Sequence, residues 1–327
     1  MADRPGTLPS PPSSDTEQII LGYILAAIGA VLFSAKAIIV KLAYSVGGPG
    51  SAPPVDAITM LSLRMAFALP IYIGIGVWSW RQRARARRPL PTGTRAFILI
   101  GLNGMLGYYI ASFLDFWALT YITAQFERLI LFTYPFFVMV LGALFFGGQI
   151  TRRGIAALCL AYAGITFIYF KGEIAEGDHI AFGAMLVAIA AFSFSLYQLF
   201  AKGWLNQIGA RIFTCLAMSG AAVGVLTHFA IRTLQDGSFA ALHVPHEVFW
   251  LAGALALFST VLPSFMLNGA IERVGPQAVS MIGTISPIAT IAMAIVLLGE
   301  PFAFTDAIGT ALVLSGVGIF TVRRSRR

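Results

Sequence analysis

The stretch from Ala118 to Phe170 returns as Ala270 to Val322, with Ala118/Ala270, Gln125/Gln277, Ile130/Ile282, Pro135/Pro287, Gly147/Gly299 and Gly164/Gly316 in step. Identity is sparse, but the kinds of residue recur. A proline in the middle of an apolar span is followed by a glycine twelve residues on and then by a second apolar span. A shorter echo links Phe33, Ser34 and Lys41 to Phe194, Ser195 and Lys202, the extra residues falling in loops of the first half. Duplicated sets of membrane helices are the sequence mark of secondary transporters, whose binding site lies where the halves meet.

Composition supports the membrane setting independently. Of 327 residues, 58% are hydrophobic and only 11% charged, against roughly 25% charged in a soluble domain. Ten segments are long and apolar enough to span, given about 20 residues per crossing: 19–43, 56–78, 96–119, 122–147, 154–170, 180–201, 211–232, 249–270, 277–298 and 307–322. The expected organisation is a polar, Pro- and Ser-rich disordered tail (1–18), a first repeat (19–170), an outer loop (171–179), a second repeat (180–322) and a basic tail (323–327). The first apolar run is too long for a cleavable signal and belongs to the repeat. Thr120–Tyr121 and Glu272–Pro276 are short enough to make tight antiparallel hairpins.

The net charge of +8 sits mostly in short runs beside apolar spans, which orients a membrane protein and does not build a groove for nucleic acid. Arg81, Arg83, Arg85, Arg87, Arg88, Arg95 and the arginines of the C-terminal tail mark the cytoplasmic side. Alternation then puts Arg152, Arg153, Lys202, Arg211 and Arg273 inside. Outside lie Lys171 and Arg232, with Asp56, Glu173, Glu176, Asp178, Asp236, Glu247, Glu300 and Asp306. Both termini are cytoplasmic on this reading, and five spans per repeat invert the second copy relative to the first.

The order of spans, the LRMAF segment with Arg64, the stretch ALTYITAQFERLILFTYPFFVMVLGALFFGGQITRRG and its partner AIERVGPQAVSMIGTISPIATIAMAIVLLGEPFAF resemble the EamA repeats of the drug/metabolite transporter superfamily, over nearly the whole chain. The resemblance implies an all-α membrane protein with ten transmembrane helices in two inverted five-helix repeats. It further implies a bacterial inner-membrane exporter or exchanger of small organic metabolites, amino-acid-like or drug-like. The first repeat departs from the family's pattern with Gly148 where the second has Glu300, so Glu300 is read as an end cap or local pair and not as a transport group.

Charges inside spans are costly and default to functional candidates with a partner to be found. Lys36, Arg64, Asp115, Glu127 and Arg128 all lie on the outer side of their spans' midpoints, by roughly 4 to 11 Å at about 1.5 Å rise per residue. They therefore form one charged layer of the first repeat. The second repeat places Tyr197 opposite Lys36, and Val279 and Ser280 opposite Glu127 and Arg128. Glu127 and Arg128 are about 100° apart on a helix and so do not face each other. Glu127 is expected to meet Lys36 or Arg64, and Arg128 to meet Asp115. Such pairs can be structural ties between helices. Equally, a buried carboxylate among cations can bind an ammonium group or carry a proton, and an arginine can bind a carboxylate.

Pro135 and Pro287 interrupt the fourth and ninth spans, which makes them candidate hinges and brings Tyr134 and Ser286 toward the substrate. Tyr108, Tyr109, Trp117, Phe192 and Tyr197 are either packing or cavity-lining aromatics. Asn103, Gln198 and Asn268 serve interhelical hydrogen bonding or line the cavity. Gly101, Gly104 and Gly107 mark close helix contact. The site candidates are thus Glu127, Arg128, Lys36, Arg64, Asp115, Tyr134, Tyr197, Asn268 and Ser286, with no metal and no cofactor. Partners are a small-molecule metabolite, the lipid bilayer and protons as coupling ion, and a homodimer is compatible with the sequence.

The chain has no nucleotide-binding P-loop, G-x-S-x-G elbow or H-E-x-x-H helix. His243, His246 and Glu247 lack the further ligands of a metal site. The competing class is an intramembrane enzyme or lipid-handling protein that uses the charged layer. From the arginine asymmetry, tags fused at Met1 and Arg327 should both be reached only from the cytoplasm of intact cells, and an external tag at either end overturns the ten-span topology.

Overall fold

The computed structural model describes residues 14–48, 54–87, 93–147, 150–171, 179–237, 243–283 and 285–324. Gly148, Glu173, Glu176, Asp178 and the first thirteen residues of the expected tail lie outside them. In a bilayer every backbone donor and acceptor must find a partner within the protein, and long apolar runs meet that demand as helices. We number ten: α1 Ser14–Tyr44, α2 Ala57–Arg85, α3 Thr94–Ala118, α4 Ala124–Phe145, α5 Arg152–Lys171, α6 Ile180–Ile208, α7 Ala210–Gln235, α8 His246–Ala270, α9 Ile285–Leu298 and α10 Phe304–Arg324. The first eight are long and apolar enough to cross a membrane, and α9 contains a shorter apolar helix, as does α10.

Several ends differ from the expected ones. α1 begins at Ser14, so the last residues of the presumed tail are helical. α2 carries on into the basic run as far as Arg85, because arginine is a good helix former once outside lipid. The α3–α4 link spans Leu119–Thr123, since Thr123 is spent as a cap and accepts from Phe126 N at 3.2 Å. Between α8 and α9, helical hydrogen bonding continues from Leu262 to Ile282, through the expected Glu272–Pro276 turn. The direction nonetheless reverses there. Along α1, Gly29 meets Leu267 and Gly22 meets Val274, so the chain first runs back toward the start of α1, whereas Ser34 meets Ser286 further on.

The repeat is visible in the packing. α1 of the first half lies against α8 and α9 of the second, while α6 of the second lies against α3 and α4 of the first. α2 packs on α7 and α5 on α10 across the same pseudo-two-fold. At the α5–α10 crossing a Cβ on Gly164 would come 2.6 Å from the Gly309 carbonyl oxygen, and one on Gly316 would come 2.6 Å from the Ala157 carbonyl oxygen. Those two contacts are symmetry mates in the repeat register, which explains the paired glycines. Gly147 and Gly299 end α4 and α9 with φ of 67° and 65°, a left-handed cap that favours glycine. Gly104 on Ala217 and Gly107 on Tyr197 confirm close contact of α3 with α7 and α6.

The halves also share irregularities that periodicity did not announce. α3 and α8 each contain a π-helical turn, Met105–Ile110 and Leu257–Val261, at equivalent positions of the repeat. Each is tied to the first helix of the other half: Ser193 donates to the Leu106 carbonyl at 2.8 Å, and Ser259 donates to the Leu32 carbonyl at 3.1 Å. Such turns recur at functional sites.

Gly316→Val should lower stability by about 2 kcal/mol or more through overpacking at the α5–α10 crossing. Gly318→Val, where a Cβ meets nothing within 4 Å, should leave the melting temperature nearly unchanged. Equal melting temperatures for the two variants would refute the crossing.

Candidate functional site

Four of the five intraspan charges converge. Lys36 on α1 donates to Asp115 Oδ2 on α3 at 2.5 Å and lies 3.7 Å from Glu127 Oε1 on α4. Arg128 Nε is 3.8 Å from Glu127 Oε2. The Phe33 ring lies under both cations, 5.7 Å from Lys36 Nζ and 5.7 Å from the Arg128 guanidinium carbon. Glu127 and Arg128 are 0% and 2% exposed, so this conformation seals the cluster from solvent.

Two expectations about partners are corrected. Glu127 and Arg128 do approach each other, because both side chains are long enough to bend across the angle that separates their Cβ atoms. Asp115 is engaged by Lys36 and not by Arg128. Arg64 stands apart from Glu127: its guanidinium covers the Phe116 ring at 5.0 Å and donates to the Tyr108 carbonyl at 3.4 Å. It is a packing cation beside the cluster.

Hydrogen-bond capacity in the cluster is left over. Among the described residues both carboxylate oxygens of Glu127, and Nε and Nη2 of Arg128, are buried without a hydrogen bond. Buried polar atoms are normally satisfied, and ionised ones most of all. A carboxylate and a guanidinium side by side with free valence can take a cationic and an anionic group of one small molecule.

The break in α4 sets the position of these side chains. The helix stops at Leu131, turns through Phe132–Thr133 and restarts at Tyr134 with Pro135 in its first turn; α9 restarts in the same way at Ile285, with Pro287. Proline withholds a donor, and both breaks are met by a serine from the opposite half. Ser34 donates to the Ser286 carbonyl at 3.0 Å, and Ser195 donates to the Tyr134 carbonyl at 3.0 Å. The sequence echo of Ser34 and Ser195 is thus a duplicated clasp, which sequence reasoning recorded without assigning it a role. Ser34 also meets the Ser286 hydroxyl at 2.7 Å, which brings Ser286 within a turn of Lys36.

The remaining candidates separate. Tyr197 and Tyr108 share a hydroxyl contact of 3.1 Å inside the bundle, on the side of Arg64. Tyr134 packs edge-on against Phe132 and Phe194. Asn268 donates to the Thr214 hydroxyl and serves as a tie between α8 and α7, away from the cluster. Trp117 and Phe192 are exposed, and Tyr109 pairs with His228 at 2.9 Å. His246 and Glu247 are exposed neighbours 3.3 Å apart, and no metal-binding group of three occurs among the described residues.

Glu300 is an end cap, as the sequence suggested, but on a helix of the other half. It caps the opposite half, accepting from Ala124 N at 2.8 Å and Gln125 N at 3.2 Å, while Gln125 Nε2 donates to the Pro301 carbonyl at 3.1 Å. A carboxylate there satisfies orphan amides and complements the helix dipole. The end of α9 is thereby fastened to the start of α4, one turn from Glu127.

Lys36→Met or Asp115→Asn should each cost about 3–5 kcal/mol, because either strands a buried charge or its partner. The double variant Lys36→Met/Asp115→Leu should recover most of that loss. Additive losses in thermal denaturation would show that the two groups are not coupled.

The model of the EamA-like transporter family matches residues 20–170 and again 181–322. The chain is 24% identical over 301 residues to the uncharacterized transporter YcbK of Bacillus subtilis, covering 90% of this chain and 91% of that one. It is 27% identical over 216 residues to a probable amino-acid metabolite efflux pump of Salmonella typhimurium, covering 62% of this chain and 71% of the relative. A solved crystal structure superposes with a TM-score of 0.59 at 16% identity, over 95% of this chain and 98% of its own, and shows the same fold. The two family matches coincide with the two halves joined by the serine clasps, and the chain belongs to the EamA-like transporter family, a membrane transporter and not an enzyme.

Proposed function

We propose that the protein is a secondary transporter that moves a small, amino-acid-like metabolite by alternating access, exporting or exchanging it across the bacterial inner membrane, with both termini in the cytoplasm. The observation that carries this reading is the unsatisfied, buried Glu127–Arg128 pair at the junction of the halves. Glu127 takes the substrate ammonium group or the coupling proton, and Arg128 takes the carboxylate. Lys36 and Asp115 neutralise each other beside them and hold α1 to α3. Two relatives, probable amino-acid metabolite efflux pumps of Salmonella typhimurium and Escherichia coli, agree in substrate class and direction.

Alternation draws on the duplicated breaks at Pro135 and Pro287. A break lets the two parts of a helix move separately, and the serine clasps tie each break to the other half, so motion at one is felt at the other. Glu300 closes the face at which α4 begins. Opening that face requires the carboxylate to leave the α4 amides, whose first turn carries Glu127.

The test is counterflow in proteoliposomes with a panel of amino acids across a pH series. Glu127→Gln keeps the shape and should keep the fold, while flux falls at least about a hundredfold, the lower end of a single general acid–base or charge-stabilising role, and its pH dependence flattens. A folded variant with unchanged flux and pH profile removes Glu127 from the mechanism. A variant that melts earlier with unchanged flux per folded molecule makes the residue a structural tie.

A further inference from the structure

We infer that the flank of α2 holds one anionic phospholipid, its phosphate on Arg81 and Arg85 and an acyl chain along the apolar surface above them. The outward face of α2 has two parts in register. Pro70, Ile73, Gly74 and Val77 are exposed and apolar, and a Cβ on Gly74 would meet nothing within 4 Å, so the stripe has a notch. Trp78, Arg81, Gln82 and Arg85 continue the same face, at spacings of three and four, and line a groove.

Length fixes the depth. About 20 residues from Ala57 cross the roughly 30 Å hydrocarbon layer, so the core ends near Gly76 and Trp78 sits at the boundary favoured by tryptophan. Arg81 lies about 7 Å further, at the level of the phosphates, where the headgroup layer is roughly 5–8 Å thick. Helix side chains lean toward the N-terminus, here toward the bilayer, which brings Arg85 back to the same layer.

The arginines of this run are not equivalent. Arg83 donates to the Gln207 carbonyl at 3.1 Å and ties α2 to the end of α6. Arg211, from the start of α7, lies 5.4 Å over the Trp78 ring, beside the groove and outside its lining. Among the described residues Arg81, Arg85 and Arg211 have no carboxylate partner. By contrast Arg232, at the other membrane face, pairs with both Asp56 and Asp236. Unpaired cations beneath an apolar notch match a phosphodiester that carries hydrocarbon chains, because a free anion leaves the notch without an occupant.

The test melts the full-length protein in neutral detergent against phosphatidylglycerol, phosphatidylcholine or inorganic phosphate. Phosphatidylglycerol should raise the melting temperature, and Arg81→Gln/Arg85→Gln should weaken its apparent affinity about thirtyfold, roughly fivefold per arginine. Arg152→Gln/Arg153→Gln, in the basic pair that opens α5, should stay within about twofold of wild type. Equal loss in both double variants would mean diffuse attraction and overturn the site, as would inorganic phosphate reproducing the stabilisation. If the first double variant does not fold, quenching of Trp78 fluorescence, isolated as wild type minus Trp78→Phe, decides in its place. Brominated phosphatidylglycerol should quench at a lower lipid fraction than brominated phosphatidylcholine, and equal quenching overturns the proposal.

Discussion

An opened helix in lipid leaves carbonyls that nothing in the solvent can satisfy, and the architecture turns on how two such openings are closed. α4 and α9 break before Pro135 and Pro287, and in each case a serine hydroxyl from the first helix of the other half donates to the carbonyl of the residue just before the proline. The single hydroxyl proton is shared with its own helix, Ser34 with the Ala30 carbonyl and Ser195 with the Ala191 carbonyl, each at 2.7 Å, as a three-centre bond. The bond therefore couples three things: the break, the first helix and the opposite repeat. It also explains why α1 is sandwiched between α8 and α9, and α6 between α3 and α4. Carbonyls at the breaks are also met locally, Thr133 by Phe136 N at 3.0 Å and Gly283 by Ser286 N at 2.9 Å, as befits a setting where an unpaired carbonyl costs several kcal/mol.

Upon that symmetric frame the charges are one-sided. Lys36, Asp115, Glu127 and Arg128 all come from the first half, and their formal charges sum to zero when all are ionised. Neutral sum does not mean satisfied. Lys36 and Asp115 make the short contact, and Glu127 and Arg128 keep free valence in a sealed place. Ionised groups stay buried only where partners compensate them. Asp115 keeps one free oxygen as well, Oδ1, but its other oxygen is held by Lys36, so the Lys36–Asp115 contact ties α1 to α3 while most of the free valence lies on Glu127 and Arg128.

Much of this was legible in the chain. Proline, then glycine twelve residues later, marked the interrupted spans in both copies, and the structure adds that Gly147 and Gly299 are left-handed caps. Helix rise alone placed Lys36, Asp115, Glu127 and Arg128 in one layer. What rise cannot give is rotation between helices, and so it misjudged partners: Arg64 turned to Phe116 and Tyr108, and Glu127 bent to its own neighbour. Asn268 read as a site residue because a polar group in an apolar span has two uses, and its partner Thr214 is far away in sequence. The π-helical turns left no trace in hydropathy, since one extra residue in a turn shifts a pattern by less than its own irregularity.

Glu300 shows why a departure between copies can be more informative than their agreement. In the repeat register its counterpart is Gly148, a residue with no side chain to cap anything. Two halves related by a strict two-fold would fasten both membrane faces alike, and closing one face would offer no preference over closing the other. A carboxylate in one copy only gives one face a fastening of its own, on the amides of the helix that carries Glu127 and Arg128. Glu127 and the amides that Glu300 holds share the first turn of α4, so on the proposed function whatever pulls on the pair also pulls on the fastening. In the proposed alternation the duplicated scaffold would supply two equivalent ways to open, and the asymmetric cap would make their energies differ.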